Sequence, residues 1–506
     1  MESTAPPIEP SWIRRAIVAT IVVGVAWRLL RYLCQFPIWG DEAMLLLNIL
    51  ERDYLGLTEH LRFAQVAPLL FLWLEKTALV LLGTAEWSVH LFPMLAGLLA
   101  LGLFFRACRK SLAPTAAAFA VCVLAVSYYP VRHACEVKPY AFDLLYAVVF
   151  LALALEHLRT DDIDDNRWLI VLCAVTPIAV FSSYPSVFVG GSVSLVLLPT
   201  MISAAWTRRA WYAAFNLALL GSFLIHYTMI GRGHVDAEEA ARTREFLHTY
   251  WKDAFPPEQF IQWPVWLIKV FTGNMLAYPI GAKNGGSTVT FLLVLLGTYS
   301  LWRQGKSMLL ALCWLPFGLN LVAAIVHKYP FGDSARITLH LAPFICVLTG
   351  YGLAAIVEAI TDSAWQARVH LAIHVALLAY GSVSIACDLV VPYKTEHDRD
   401  VRLLARHIGS SVVSGEPIVL LHERDEDLLA EFLWNLRAER LEPRFQSAHI
   451  NSQSRSYWLV QCGNHEPAPF VAPPGWRITS SEVRHVPPEN AKMPPMYCRW
   501  AQVVRY

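Results

Sequence analysis

The hydrophobic positions of this chain fall into long unbroken blocks, not into the spaced pattern of a soluble domain. A helix needs about 20 apolar residues to cross a bilayer. Blocks of that kind lie at 16–36, 88–107, 114–131, 139–157, 168–184, 186–205, 211–230, 288–302, 307–326, 337–358 and 369–391. A further block, 66–82, is apolar but carries Glu75 and Lys76 at its centre. From about residue 395 the chain turns polar. Residues 399–407 and 426–440 have helical spacing, and 417–421 and 457–460 read as strands. The pattern predicts an all-α polytopic membrane protein of about 11 transmembrane helices plus juxtamembrane helices, followed by a small α/β extramembrane domain. The expected division is 1–394 for the transmembrane domain and 395–506 for the soluble one. No internal repeat is visible.

Charge then sets the sidedness. Arg14 and Arg15 precede the first block, and loops rich in Lys and Arg stay in the cytoplasm. If 66–82 does not cross, the basic clusters at 106–110, 208–209, 303–306 and Arg368 all fall on the side of the N-terminus. If it crosses, every one of them flips. The block is therefore read as a juxtamembrane helix on the outer face, with a cytoplasmic N-terminus and an external C-terminal domain. The outer face then carries a first loop, 37–65, a loop around 132–140, and a turn at 327–336. It also carries a long mixed segment, 231–287, expected to hold one or two interfacial helices. The first block is followed by no small-residue cleavage site and reads as a retained span.

Composition agrees with the pattern. Of 506 residues, 56% are hydrophobic and only 16% charged, too apolar for a soluble protein of this size. The formal net charge of +1 gives no sign of a nucleic-acid partner. The 10 cysteines show no CxxC or Cys/His metal spacing. Cys462 and Cys498 share a polar region and can pair if that region lies outside the cytoplasm.

The candidate chemistry gathers on the outer face. Phe36-Pro37-Ile38-Trp39-Gly40-Asp41-Glu42-Ala43 places two adjacent carboxylates where the first span leaves the membrane. The simple alternative is a solvated helix start with Asp41 as its cap. Arg132, Lys138, Lys328 and Arg336 sit in outer loops, where Lys and Arg are depleted. Any one of them can be snorkelling or touching headgroups. Four together, with carboxylates on the same face, point to a shared anion site. Glu136 belongs to the same face, and Tyr140 is as readily an interfacial anchor as a ligand contact. Arg28 and Arg31, in the outer third of the first span, either snorkel or face a groove. His340 and His374 read as packed histidines, and Glu75 and Lys76 as ordinary residues of a surface helix.

Nucleotide sugars are cytoplasmic, so a sugar donor used at the outer face is lipid-linked. Transfer from a polyprenyl-phosphate sugar needs a base for the acceptor hydroxyl, cations for the departing phosphate and an apolar groove for the tail. Asp41 can supply the first. Lys138, Lys328 and Arg336 can supply the second, and the helix bundle the third.

These residues resemble those of the GT-C superfamily of membrane glycosyltransferases. The likeness is to bacterial relatives of protein O-mannosyltransferases and of the lipid A aminoarabinose transferase. It rests on Trp39-Gly40-Asp41-Glu42-Ala43 after the first span, Gln65-Val66-Ala67-Pro68-Leu69-Leu70-Phe71-Leu72 before the second, and Glu86-Trp87-Ser88-Val89-His90-Leu91-Phe92-Pro93. Glu136-Val137-Lys138-Pro139-Tyr140 and Tyr329-Pro330-Phe331-Gly332 with Arg336 complete it, and the likeness covers roughly residues 15–390. It implies an inverting transfer at a periplasmic active site of a bacterial inner membrane, with Asp41 as general base and Glu42 as a second carboxylate. It carries over Lys138, Lys328 and Arg336 as the phosphate contacts; Arg132, Glu136 and Tyr140 join them as donor-binding candidates by their place on the outer face. The acceptor is a protein, a lipid or another glycan. The resemblance leaves a divalent metal open and implies no other cofactor. His90 departs from the family's Arg, and Ala67-Pro68 lacks the family's basic residue before proline. A transporter or flippase for lipid-linked sugars would show mid-bilayer ionisable groups, broken helices or repeated halves. That reading, and a catalytically inactive scaffold, are the alternatives.

Overall fold

The computed structural model describes residues 11–159, 166–232, 245, 249–281, 284–392, 395–412, 416–422, 429–441, 443–445, 455–488 and 495–506. Part of the predicted outer segment 231–287 and part of the helical pattern 426–440 lie outside them.

Every predicted span falls on a helix. The helices are α1 (Ser11–Leu33), α5 (Leu91–Ser111), α6 (Pro114–Ala125) with α7 (Tyr128–Arg132), α8 (Tyr140–Arg159), α9 (Arg167–Ser182), α10 (Ser186–Ile202) and α11 (Trp206–Arg232). After the outer segment come α13 (Gly286–Arg303), α14 (Ser307–Ile325), α15 (Ala342–Glu358) and α16 (Ser363–Val390). Among the described residues, 6 helices are long and apolar enough to cross a membrane, and the pair α6–α7, bent by 54°, would make 7. The expected count of about eleven is not reached on those grounds, for reasons legible in the residues. α9 and α10 have 16 and 17 residues and contain Pro177 and Pro199. α11 carries Asn216, Ser222 and His226, and α13 carries Thr288, Thr290 and Thr298.

Small residues set how closely the bundle packs. A Cβ on Gly297 of α13 would stand 1.9 Å from the Leu348 carbonyl oxygen, and one on Gly352 of α15 would stand 2.1 Å from that of Leu293. The two backbones therefore touch, as membrane helices do where glycine removes the side chain. The bundle core is fully buried at Phe104, Phe119, Phe150 and Phe344.

On the predicted outer side, α2 (Gly40–Glu51), α3 (Leu69–Leu82) and the short α4 (Glu86–Val89) pack over the bundle. With 14 residues, α3 is shorter than a span. Its Lys76 donates to the carbonyls of Ile49 at 3.0 Å and Leu50 at 3.2 Å, closing the C-terminal end of α2. In the outer segment α12 (Trp263–Val270) leaves Val265 and Ile268 exposed, the apolar face expected of an interfacial helix.

The C-terminal residues form α17 (Thr395–Ser411), α18 (Ala430–Ala438) and a five-stranded sheet of order β2-β1-β3-β5-β4. The strands are β1 (Ile418–His422), β2 (Pro443–Phe445), β3 (Ser456–Gly463), β4 (Trp476–Val486) and β5 (Met496–Arg505). β1 runs parallel to β2 and β3, while β5 runs antiparallel to β3 and β4. Both predicted strands are present; the other three have no apolar run to announce them. Cys462 and Cys498 are register partners on β3 and β5, both free thiols with Sγ atoms 3.0 Å apart.

α18 packs on α2, and one hydrophobic core joins Leu45, Leu46 and Ile49 of α2 to Val401, Leu404, Phe432 and Leu436. Gly40 lies against Glu431: a Cβ there would stand 2.7 Å from Glu431 Oε1, so a side chain would have to displace that carboxylate. Arg402 donates to Glu86 Oε1 at 2.8 Å and to the Gln35 carbonyl at 3.2 Å.

Candidate active site

The site begins where α1 gives way to α2. Pro37 and the extended backbone of Trp39 break the helix, and a new one starts at Gly40. Asp41 and Glu42 stand in its first turn, where carboxylates suit the positive end of the helix dipole. They have different partners. Asp41 is not the cap of the simple alternative: the cap position is Trp39, whose N–H points to Glu42 Oε2 at 3.5 Å. Glu42 is buried. Its Oε1 accepts the Val137 N–H at 2.5 Å and pairs with His90 Nε2 at 3.2 Å. Glu42 thus ties the first outer loop to the loop that carries Lys138. His90, the departure from the family's Arg, supplies the nitrogen that faces this carboxylate.

Asp41 faces cations. Lys138 Nζ lies 2.9 Å from its Oδ1, and Arg336 Nη1 3.6 Å from its Oδ2. Gln65 joins them, donating to Asp41 Oδ1 at 3.2 Å and accepting from Lys138 Nζ at 2.6 Å. Burial pushes the Asp41 carboxyl up. Lys138 and Arg336 outweigh it, helped by the hydrogen bonds of Lys138 and Gln65, and hold the pKa below its ordinary value. The Asp41 side chain is still 29% exposed, against 8% for Lys138 and 16% for Arg336, so the cluster opens on the carboxylate side. Arg336 is framed by aromatic rings. Its guanidinium lies 5.8 Å from the Trp39 ring and 5.3 Å from that of Trp251, and it reaches the Tyr250 hydroxyl at 3.4 Å.

The second outer motif folds beside this cluster. Glu136 accepts from Arg132 Nε at 2.9 Å and lies 2.6 Å from His133 Nδ1. Burial raises its pKa, but His133 and Arg132 prevail and hold it far below the carboxylate range. Arg132 also reaches the Tyr128 hydroxyl at 3.2 Å, and Tyr128 donates to Asp388 Oδ1 at 2.8 Å. Arg31 pairs with Asp388, so it is buried in a network and does not snorkel. Arg28 is also buried, donating to the carbonyls of Gly24 at 2.9 Å and Ala125 at 3.0 Å. A small cavity of about 30 Å³, enough for a water, lies between Arg31, His90, Arg132, Glu42 and Glu136. Tyr140 is half-buried with its ring edge-on to His133, at 5.2 Å.

Of the expected residues, the structure brings together Asp41, Lys138 and Arg336, with Arg132, Glu136 and Tyr140 beside them. It does not bring Lys328. That residue follows His327, whose φ is +53°, and its side chain is exposed, with no ion pair or hydrogen bond among the described residues. Tyr329, the next residue, turns inward instead, its hydroxyl donating to the Ile337 carbonyl at 2.9 Å. Among the described residues no three His, Cys, Asp or Glu side chains are grouped to hold a metal ion. Glu75, expected to be an ordinary surface residue, is fully buried on α3 and has no hydrogen-bond partner among the described residues.

Several site residues were not singled out from sequence. Gln65, Tyr250 and Trp251 carry no signal beyond polar or aromatic character at a membrane surface. Asp388 did carry one: an acid inside an apolar block.

Residues 66–227 match the family model described as dolichyl-phosphate-mannose-protein mannosyltransferase. No curated protein matches the chain at a significant level. Among solved structures, ArnT from Cupriavidus metallidurans bound to undecaprenyl phosphate superposes with a TM-score of 0.54 at 15% identity, covering 89% of this chain and 93% of that one. The apo state of the same protein gives 0.51 at 14% identity, with the same coverage. Over residues 66–227 the chain therefore carries the sequence signature of the dolichyl-phosphate-mannose-protein mannosyltransferase family, and over nearly its whole length it shares the GT-C fold of ArnT.

Proposed function

We propose that this protein is a membrane glycosyltransferase that moves a sugar from a polyprenyl-phosphate carrier to an acceptor hydroxyl at the outer face of a bacterial inner membrane. The observation that carries the reading is the Asp41 carboxylate held between Lys138 and Arg336 on an otherwise apolar helix bundle. The family match over 66–227 and the fold shared with a protein solved with undecaprenyl phosphate support the donor class.

In the resting site both cations neutralise Asp41. An arriving donor phosphate is the stronger partner for a Lys and an Arg, and Arg336 can meet it with two parallel N–H groups. As the cations turn to the phosphate, Asp41 loses the charges that depress its pKa and becomes a better base. It then takes the proton of the acceptor hydroxyl. The acceptor oxygen forms its bond to the anomeric carbon from the face opposite the phosphate. The bond from that carbon to the phosphate oxygen breaks, and the phosphate leaves with both electrons, its charge held by Lys138 and Arg336. The configuration at the anomeric carbon inverts. Glu42, Glu136 and Arg132 position the two loops and do not touch the reacting atoms.

The test is transfer of radiolabelled sugar in membranes, comparing wild type with Asp41→Asn over a panel of polyprenyl-phosphate sugars. Asparagine keeps the size of aspartate but takes no proton, so transfer drops by about 10²–10⁴-fold while carrier binding persists. Undiminished transfer by Asp41→Asn would remove Asp41 from the chemistry.

A further inference from the structure

Immediately beyond the Asp41 cluster lies a second polar group that the transfer chemistry does not use. Asp143 stands one turn along α8 from Tyr140, and His340 one turn along its segment from Arg336. Ser182, Ser183 and Ser186 make the turn between α9 and α10. All are buried, Asp143 to 4% exposure and the others to 1% or less. Among the described residues, Asp143 Oδ1, the three serine hydroxyls and both ring nitrogens of His340 have no hydrogen-bond partner. Asp143 and Ser183, Ser182 and Tyr146, and His340 and the Ile337 backbone approach each other without closing a hydrogen bond.

The segments converge. The Phe188 ring of α10 lies 5.3 Å from that of Tyr329 and 6.0 Å from that of His340. Tyr329 is within electrostatic reach of Asp143 and Tyr140. Tyr140 is within reach of Asp143 on one side and of Asp41 and Arg336 on the other. Tyr140 thus stands between this group and the proposed reaction centre.

A buried polar group without a partner is costly, and native proteins pair nearly all of them. Here an acid, three hydroxyls and an imidazole share the deficit. A lipid tail would satisfy none of them, and a phosphate carries no donor for Asp143 Oδ1. A ring bearing several hydroxyls offers donors and acceptors to all of them. Accepting the donor class proposed above, we infer that Asp143, Ser182, Ser183, Ser186 and His340 form the binding site for the sugar ring of the donor. Asp143 accepts a hydrogen bond from a ring hydroxyl or amino group and so selects which sugar is used. The group is shut off from solvent, so bound water is the competing occupant.

The experiment measures binding of bare undecaprenyl phosphate, and of undecaprenyl phosphate carrying mannose, glucose or aminoarabinose, to the purified full-length protein. Wild type should bind one loaded carrier at least about tenfold more tightly than the bare one, the worth of a hydrogen bond to a charged group. Asp143→Asn should erase that preference and leave bare-carrier affinity within about twofold. Ser183→Ala gives a second reading if Asp143→Asn does not fold. A preference that survives both substitutions assigns the group to bound water and overturns the inference, as does a wild type that binds bare and loaded carriers alike. Failure of wild type to bind any carrier removes the proposed donor class, and the sugar site with it.

Discussion

Lys138 Nζ sits 2.9 Å from Asp41 Oδ1 and 2.6 Å from Gln65 Oε1, so one ammonium group holds the candidate base in an ion pair. Removing it has a signed consequence. The native pKa of Asp41 is depressed, with burial opposing and Lys138 foremost among the causes that lower it. The stability from this pairing is present above the ordinary aspartate value and is lost as pH falls through the depressed one. Lys138→Met relieves the depression, so acid unfolding begins at higher pH. The acid limb of kcat/KM, which reports the free enzyme, moves the same way. Acid titration of folding and a pH–rate profile check both; an unmoved acid limb would separate Asp41 from the rate.

Arg336 lies against the rings of Trp39 and Trp251 and reaches Asp41 from the side opposite Lys138. Lysine keeps the charge but loses the planar fork and the stacking. Arg336→Lys should raise the KM for the lipid-linked donor roughly tenfold, the worth of one charged hydrogen bond, with a smaller change in kcat. Steady-state kinetics against donor concentration decide it. An unchanged KM would mean that Arg336 does not contact the phosphate.

Among the described residues Glu75 is an acid without a hydrogen-bond partner, inside the packing of α2 and α3. Burial, followed by the nearby Glu42, pushes its pKa well above the ordinary glutamate value. With a raised native pKa, the folded state is favoured below the unfolded value, and stability drains away as pH rises toward the native one. Glu75→Gln escapes that loss. The variant should therefore gain on wild type as pH rises from about 5 to 8, by at most about 1.4 kcal/mol per pH unit. Thermal unfolding in detergent across that range measures it, and parallel curves would refute it.

Cys462 and Cys498 face each other across β3 and β5 with sulfurs 3.0 Å apart. In an oxidising compartment they should close a disulfide; in a reducing one they should remain thiols. Mass spectrometry of protein taken from intact membranes under alkylation therefore also reports sidedness. Free thiols there would argue against an external C-terminal domain.

The helices were legible because bilayer hydrocarbon leaves a simple record, and each apolar block does fall on a helix. Sidedness by charge also led to Lys138 and Arg336, which meet at Asp41. The same rule was silent on direction. Lys328 has the right sign and segment, yet a left-handed residue before it leaves its side chain exposed. Glu42 looks like a twin of Asp41 in the sequence, but adjacent helix residues point about 100° apart, and it turns into the protein. Asp143 and Asp388 were visible all along as acids inside apolar blocks. They lie away from the outer loops, which are the segments that the charge pattern marks out. Strands β4 and β5 gave no run to read, since much of β4 is exposed.

The contact of α18 with α2 also orders events in time. The helix that bears Asp41 is made hundreds of residues before the wall it rests on, with Glu431 against Gly40 and Arg402 on Glu86. Between those moments the bundle can be threaded into the bilayer while the first outer loop still lacks one side of its packing. The packing around Asp41 is therefore completed late: the first turn of α2 gains its last wall only once α17 and α18 have been made and have settled on it.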